Sequence, residues 1–164
     1  MTRINIIPVS ELTDQHLIAE YREITMIPAA LTRTLNSKAG FSKNKIPTKF
    51  TLNSGHVYFF YNKGLYLDKR YFLLVQEMVL RGFNPDVNRC FPKDVFPSEL
   101  FNDWTPSAQE QELVRDRIKE KIAMKPNWYR KTATIVNHKF EHDLQNTEIE
   151  SSSILDSKWY NESI

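Results

Sequence analysis

The sequence predicts an all-α protein, one compact domain of three main helices joined by long irregular loops, with few or no strands. Three observations predict it. Apolar residues recur at helical steps in three separate windows. Each window carries recognisable helix-start or helix-stop chemistry. The stretches between them are rich in Gly, Pro, Ser and Asn and read as irregular connections. At 164 residues the chain is long enough to bury a single core.

In the first window Leu17, Tyr21, Ile24, Leu31 and Leu35 fall on one helical face, with Ser10 or Thr13 available as N-cap. Pro28 interrupts this pattern, because an internal proline loses a hydrogen bond and clashes one turn back, so a kink or break is expected around residues 25–28. Residues 36–56 hold four lysines among turn-forming residues and predict a basic loop. The run HVYFFY at 56–61 is too apolar to be exposed; it fits either a short buried strand or the entry to a helix.

The second helix is expected over residues 64–81, burying Leu67, Tyr71, Leu74, Val75, Met78 and Val79, with Gly82 just past its end in the left-handed conformation that glycine adopts at least cost. Two Phe-Pro steps and an Asn-Pro make residues 83–104 an irregular connection. The third helix starts sharply: Thr105-Pro106 supplies a cap and a proline for the first turn, and Ser107 with Glu110 suits a capping box. Its buried stripe is Val114, Ile118 and Ile122, and Pro126 should end it, because the residue before a proline resists helical dihedrals.

Composition narrows the class of protein. Apolar residues make up 41% and charged residues 26%, ordinary for a soluble globular chain. A single cysteine, Cys90, excludes an internal disulfide framework and suggests a reducing compartment. With no histidine partner evident nearby, Cys90 is expected to be a buried structural thiol. The absence of an 18-residue apolar run and of a secretory h-region predicts a cytoplasmic protein with no membrane partner. Charge is unevenly placed: residues 1–130 carry 19 Lys and Arg against 14 Asp and Glu, whereas residues 131–164 carry 3 against 6. A basic body with an acidic, Ser-rich tail is compatible with a polyanionic ligand.

Several constellations bear on chemistry. Arg117 and Lys121 stand one turn apart on the third helix, either as part of a solvated face or as two cations aimed at successive phosphates. Lys38, Lys43, Lys45 and Lys49 in the basic loop add to the second reading. Trp128-Tyr129-Arg130 suits stacking on bases, and equally suits clamping the helix onto the core. His16, Glu20 and Glu23 share a helical face; a His16–Glu20 hydrogen bond is expected there rather than a metal, since no HExxH motif or second ligand cluster accompanies them. Neither a P-loop nor a dinucleotide-binding glycine pattern occurs, which disfavours nucleotide hydrolysis and nicotinamide redox chemistry.

The first residues add one more candidate. A small second residue permits removal of Met1, leaving the α-amino group of Thr2 at the N-terminus. Such an amine has a reference pKa of about 7.7–8.0. Positive charge from Arg3 and Arg22 would lower it further, leaving a largely neutral, nucleophilic amine near neutral pH.

These residues also carry a resemblance. MTRIN at the start, VSEL at 9–12 and DQHLIAEYRE at 14–23 resemble the phage pyrimidine-dimer DNA glycosylase/AP lyase family, also called endonuclease V. GHVYFFYNK at 55–63, RGFN at 81–84, Arg117, Lys121 and the PNWY at 126–129 extend the resemblance to about residue 130. It implies a glycosylase/AP lyase domain over residues 1–130, with the N-terminus threaded between helices, followed by an acidic, Ser-rich extension over 131–164 of unknown role. It implies excision of the 5′ base of a cyclobutane pyrimidine dimer in double-stranded DNA, then cleavage of the strand, with no metal or cofactor. A monomer is the default expectation, since one exposed cationic face needs no symmetry mate. A phage-encoded member would work in the cytoplasm of its host.

Carried over by position, Thr2 supplies the attacking amine and Glu23 the catalytic carboxylate. Arg3, Arg22, Arg117 and Lys121 serve DNA binding, Gln15 and His16 shape the site, and Trp128 belongs to the DNA-facing aromatic segment. Met26 departs from the pattern, standing where members commonly carry arginine. That departure leaves open the same chemistry on a different damaged or modified base; a noncatalytic helical DNA-binding module that kept the fold is a second alternative.

Overall fold

The computed structural model describes residues 3–134. Thr2, the expected nucleophile, and residues 135–164, which make up most of the acidic extension, lie outside the described residues. The described part is all-α, with helices α1 (Asp14–Glu23), α2 (Met26–Leu35), α3 (His56–Phe59), α4 (Gly64–Leu80) and α5 (Ala108–Met124), linked by loops holding four short 3-10 turns. Three helical bodies dominate, as expected: α1 with α2, α4, and α5.

The first window divides where a break was expected. α1 starts at Thr13, whose hydroxyl accepts from the His16 amide, and runs to Glu23; α2 begins at Met26. Pro28 is the third residue of α2, in a first turn whose N–H groups have no intrahelical acceptor, so its missing donor costs nothing there. The HVYFFY run is a single turn of helix, α3, which buries His56 and Phe59, followed by further turns that bury Phe60 and Tyr61.

α4 buries Leu67, Tyr71, Leu74 and Met78 as expected, but Val79 is 56% exposed. Its neighbour Met78 already fills the core-facing row, and one residue further round the helix points away from it. Gly82 ends α4 at φ +80°: its N–H bonds the Val79 carbonyl and the Phe83 N–H bonds the Met78 carbonyl. At its other end, Gly64 lies so close to Phe96 and Phe101 that a Cβ would come within 2.6 Å of the Phe101 ring. Only glycine lets those two rings cover the start of α4.

α5 begins two residues later than Thr105-Pro106 suggested. Ser107 is the N-cap, in extended conformation, and it exchanges hydrogen bonds with Glu110 in a capping box, so Pro106 lies outside the helix. Val114 and Ile118 are buried, and the helix stops at Met124, ahead of Pro126. Cys90 is exposed, correcting the expectation of a buried thiol. It sits in the irregular 83–104 connection, where Phe91 and Phe96 take the buried positions instead.

Residues 3–7 form the arm that organises the core. Ile4, Ile6 and Ile7 are buried, and polar groups from four helices hold the backbone between them. The Arg3 N–H donates to Glu23 on α1 and the Ile4 N–H to His56 on α3. Gln111 on α5 donates to the Ile6 carbonyl, and Arg70 on α4 to the Ile7 carbonyl. An extended segment inside a helical protein has no ladder partner, so side chains must satisfy its N–H and C=O groups. Among the described residues no helix is long and apolar enough to cross a membrane.

Candidate active site

α1 supplies the floor of the site. Its ten residues place His16, Ala19, Glu20 and Glu23 along one face, since steps of three and four return to the same side of a helix. The arm crosses this face, and Arg117 on α5 closes the other side. Arg3, Asn5, His16, Ala19, Glu20, Glu23 and Arg117 line a cleft of about 180 Å³.

Two carboxylates in this cleft have different surroundings. Glu20 is 1% exposed and fully engaged: Arg70 donates to both of its oxygens, at 2.8 and 3.1 Å, and the Asn5 amide donates to Oε2 at 3.0 Å. It is a structural anchor that holds the arm to α1 and α4. Glu23 is only part-buried, and its Oε2 accepts the Arg3 backbone N–H at 3.2 Å. The carboxylate open to the cleft is therefore the one beside the first described residue of the chain.

Cations surround it. Arg117 is half-buried, and burial first, then repulsion from Arg3, pulls its guanidinium down to about 10. It is still charged near neutrality. His16 is pulled below its ordinary value by burial and then by Arg117, which favours the neutral ring. His16 does not bond Glu20, whose oxygens are engaged elsewhere; its Nδ1 lies 2.7 Å from the Thr13 hydroxyl. Its face stacks on Tyr129, with centroids 4.8 Å apart and planes 5° apart.

That stack belongs to a strap that runs back over the N-terminus of α1 after α5 ends. Gln15 clips it at two points: its Nε2 donates to the Trp128 carbonyl at 2.8 Å, and its Oε1 accepts from the Arg130 N–H at 2.9 Å. The Asp14 N–H donates to the Arg130 carbonyl, and the Asp14 carboxylate accepts from the Thr132 amide and hydroxyl. Burial pushes the Asp14 carboxyl up, but the Thr132 hydrogen bonds and then Arg81 together hold it below its ordinary value. Gln15 thus acts on the protein's own backbone. Tyr129 packs against His16, whereas Trp128 is 64% exposed.

The remaining predicted residues lie outside the cleft. Arg22 is exposed, and its carbonyl accepts from Arg89. It borders a neighbouring depression of about 400 Å³, with Tyr21, Asn84, Asp86 and Arg89 among the lining residues. Lys121 is exposed one turn beyond Arg117 on α5. Met26 is 50% exposed at the first position of α2.

Sequence reasoning missed Asn5, His56, Arg70 and Gln111, which hold the arm. Asn5 and His56 stand inside the quoted blocks MTRIN and GHVYFFYNK, so the signal was present without a role attached. Among the described residues no group of three His, Cys, Asp or Glu side chains converges as a metal centre would require.

The family model described as pyrimidine dimer DNA glycosylase matches residues 1–89, more than half of the chain and the part that contributes the arm, α1 and His56.

Proposed function

This chain belongs to the pyrimidine dimer DNA glycosylase family, and from that premise we propose that it excises the 5′ base of a cyclobutane pyrimidine dimer and then cleaves the strand as an AP lyase. The nucleophile in this reading is the α-amine of Thr2, and Glu23 is the acid–base partner.

The observation that carries the proposal is the 3.2 Å bond from the Arg3 N–H to Glu23 Oε2, in a cleft lined by His16, Arg3 and Arg117. Thr2 precedes Arg3 by one peptide bond, so its amine is tethered about one residue, ~3.8 Å, from that backbone. No other carboxylate of the cleft is open to it, because Glu20 is held by Arg70 and Asn5.

The chemistry needs only these two groups. The neutral amine attacks C1′ as the glycosidic bond breaks. The bond's electron pair leaves with the base, and the Glu23 carboxylate steadies the oxocarbenium-like sugar in between. Loss of the amine proton and opening of the sugar ring leave an iminium joining Thr2 to C1′. That cation acidifies C2′, Glu23 takes a C2′ proton, and the C3′–O bond breaks with its electrons leaving on the 3′ phosphate. Water then hydrolyses the unsaturated imine and frees the amine.

Arg3, Arg22, Arg117 and Lys121 would bind the backbone, which makes the activity salt-sensitive. A dimer is poorly stacked and so costs less to open than normal duplex. The depression beside Arg22 offers room for a displaced base.

Borohydride trapping on dimer-containing and on abasic duplex tests the proposal. A covalent adduct is expected, lost when the N-terminus is blocked; absence of an adduct with both DNAs overturns the enzymatic reading. Glu23→Gln should keep DNA binding and lose cleavage, whereas equal loss of both would mark Glu23 as structural. Met26 supports a second reading, the same chemistry on another lesion, because it brings no charge to a position that is 50% exposed. Comparing adduct yields across lesions separates the two.

A further inference from the structure

His56 is 2% exposed, yet it is not simply a core residue. Its Nδ1 lies 2.6 Å from the Thr51 carbonyl, which can only accept, so Nδ1 carries the hydrogen. Its Nε2 lies 2.9 Å from the Ile4 backbone nitrogen, which can only donate, so Nε2 carries a lone pair. The two partners together leave one form of the ring, neutral and protonated at Nδ1. Phe50 and Phe60 pack edge-on against it and hold its plane, with centroids 5.4 and 5.2 Å away.

The bond to Ile4 is placed where it matters. The preceding amide, that of Arg3, is the one bonded to Glu23. Two consecutive N–H groups of the arm are therefore held from two helices, one by the carboxylate of the cleft and one by His56. We propose that His56 is a positioning residue for the N-terminal arm: its neutral imidazole fixes the Ile4 amide and so sets how far the chain's terminal amine stands from Glu23. This rests on the function proposed above, since it takes Thr2 as the nucleophile. His56 touches no substrate in this role and acts through the backbone of residues 3 and 4.

Protonation of His56 would set an N–H of the ring against the N–H of Ile4 and push the arm off. Burial opposes its protonation most strongly, while the Thr51 carbonyl favours it. The charged groups acting on the ring, Arg3 on the arm and Arg117 on α5, both oppose it, and the net effect holds the ring below the ordinary histidine value. Of the two carboxylates in the cleft, Glu20 is bonded to Arg70 and Asn5, and Glu23 accepts from the Arg3 amide. The site is thus built to keep the acceptor bare near neutral pH and to lose it in acid.

The test uses the full chain with three measurements. In His56→Leu, which removes the acceptor, single-turnover trapping on abasic duplex should slow by about tenfold or more, as expected of a misplaced reacting group, with the Kd for that duplex unchanged. In His56→Gln, whose side-chain oxygen can still accept from Ile4 but does not titrate, the trapping rate near neutrality should recover, and its fall on the acid side of about pH 6.5, which protonation of the Thr2 amine also drives, should be less steep than in wild type. By NMR, the wild-type ring should show a bare Nε2, and the Ile4 amide should exchange faster in His56→Leu than in wild type.

Wild-type trapping rates in His56→Leu, or an acid limb in His56→Gln that superposes on wild type, would overturn the positioning role. So would a protonated Nε2 in the wild-type ring at neutral pH. If wild-type protein traps no DNA at all, the proposed function fails, while the NMR measurements still decide whether His56 holds the arm.

Discussion

The rings of His16 and Tyr129 lie 4.8 Å apart and within 5° of parallel, so a residue of the first helix carries the segment that follows the last. The stack, the Gln15 clip and the Asp14 carboxylate are three separate fastenings on one strap, and all three come from the first turn of α1.

Replacing Tyr129 with leucine keeps apolar bulk and removes the stack. Stability should fall by about 0.5–1.5 kcal/mol, read as a lower urea midpoint with an unchanged slope. An unaltered midpoint would mean that the contact contributes nothing beyond its burial.

The Glu20–Arg70 pair predicts a larger effect. Glu20→Gln leaves Arg70, 5% exposed, facing a neutral partner inside the core, and should cost about 3–5 kcal/mol, the range for breaking a buried pair. The double replacement Glu20→Leu/Arg70→Met should recover part of that loss in urea unfolding. If the two single losses simply add, the residues are not coupled.

This pair also marks the limit of what the sequence discloses. Helical periodicity located Leu17, Tyr21, Leu67, Leu74, Val114 and Ile118 because burial of apolar residues leaves a local, repeating trace. Pro28 showed where the first window divides for the same local reason. Arg70 and Glu20 read as surface charges in any hydropathy pattern, and their reason for burial lies 50 residues away along the chain. Glu23 and Arg3 were legible through the resemblance. Their contact, and the sorting of Gln15, Tyr129 and Trp128 into clip, packing and exposed roles, depends on where distant segments cross.

Stability should depend on pH through His16 and His56. Both are held below the ordinary histidine value, burial being the largest cause in each. The unfolded chain then binds more protons than the folded one as pH falls below about 6.5. The contribution is complete above that pH and is lost as pH falls through the folded values. The melting temperature should drop over that acid window in wild type and drop less in His16→Gln. An identical profile in the variant would remove His16 from the account.

Lys121 is exposed and its role, if it contacts a phosphate, is electrostatic. Lys121→Ala should weaken duplex binding similarly for all sequences and reduce the slope of log K against log salt by about 0.9, the value for one released counterion. A loss of affinity with no change of slope would assign Lys121 a different part.

Ser107 caps α5, and the helix holds Arg117 and Gln111 in place. Ser107→Ala should lower stability by about 0.5–2 kcal/mol, measured by urea unfolding; Ser107→Asp should retain most of it. Equal losses would show that the box with Glu110 does not act as a cap.

The strap has a bearing on the order of events in folding. Thr132 and Asp14 meet across 118 residues, so their bonds close a loop as long as almost the whole described chain. Closure of such a loop gains little until the body it spans has formed. The strap is therefore the last piece to seat and the first to lift, and the amides of Asp14, Arg130 and Thr132 should exchange with solvent through a small local opening while those of α4 wait for global unfolding. The strap, stacked on His16 beside the cleft, is an addition that the rest of the molecule does not need in order to stand.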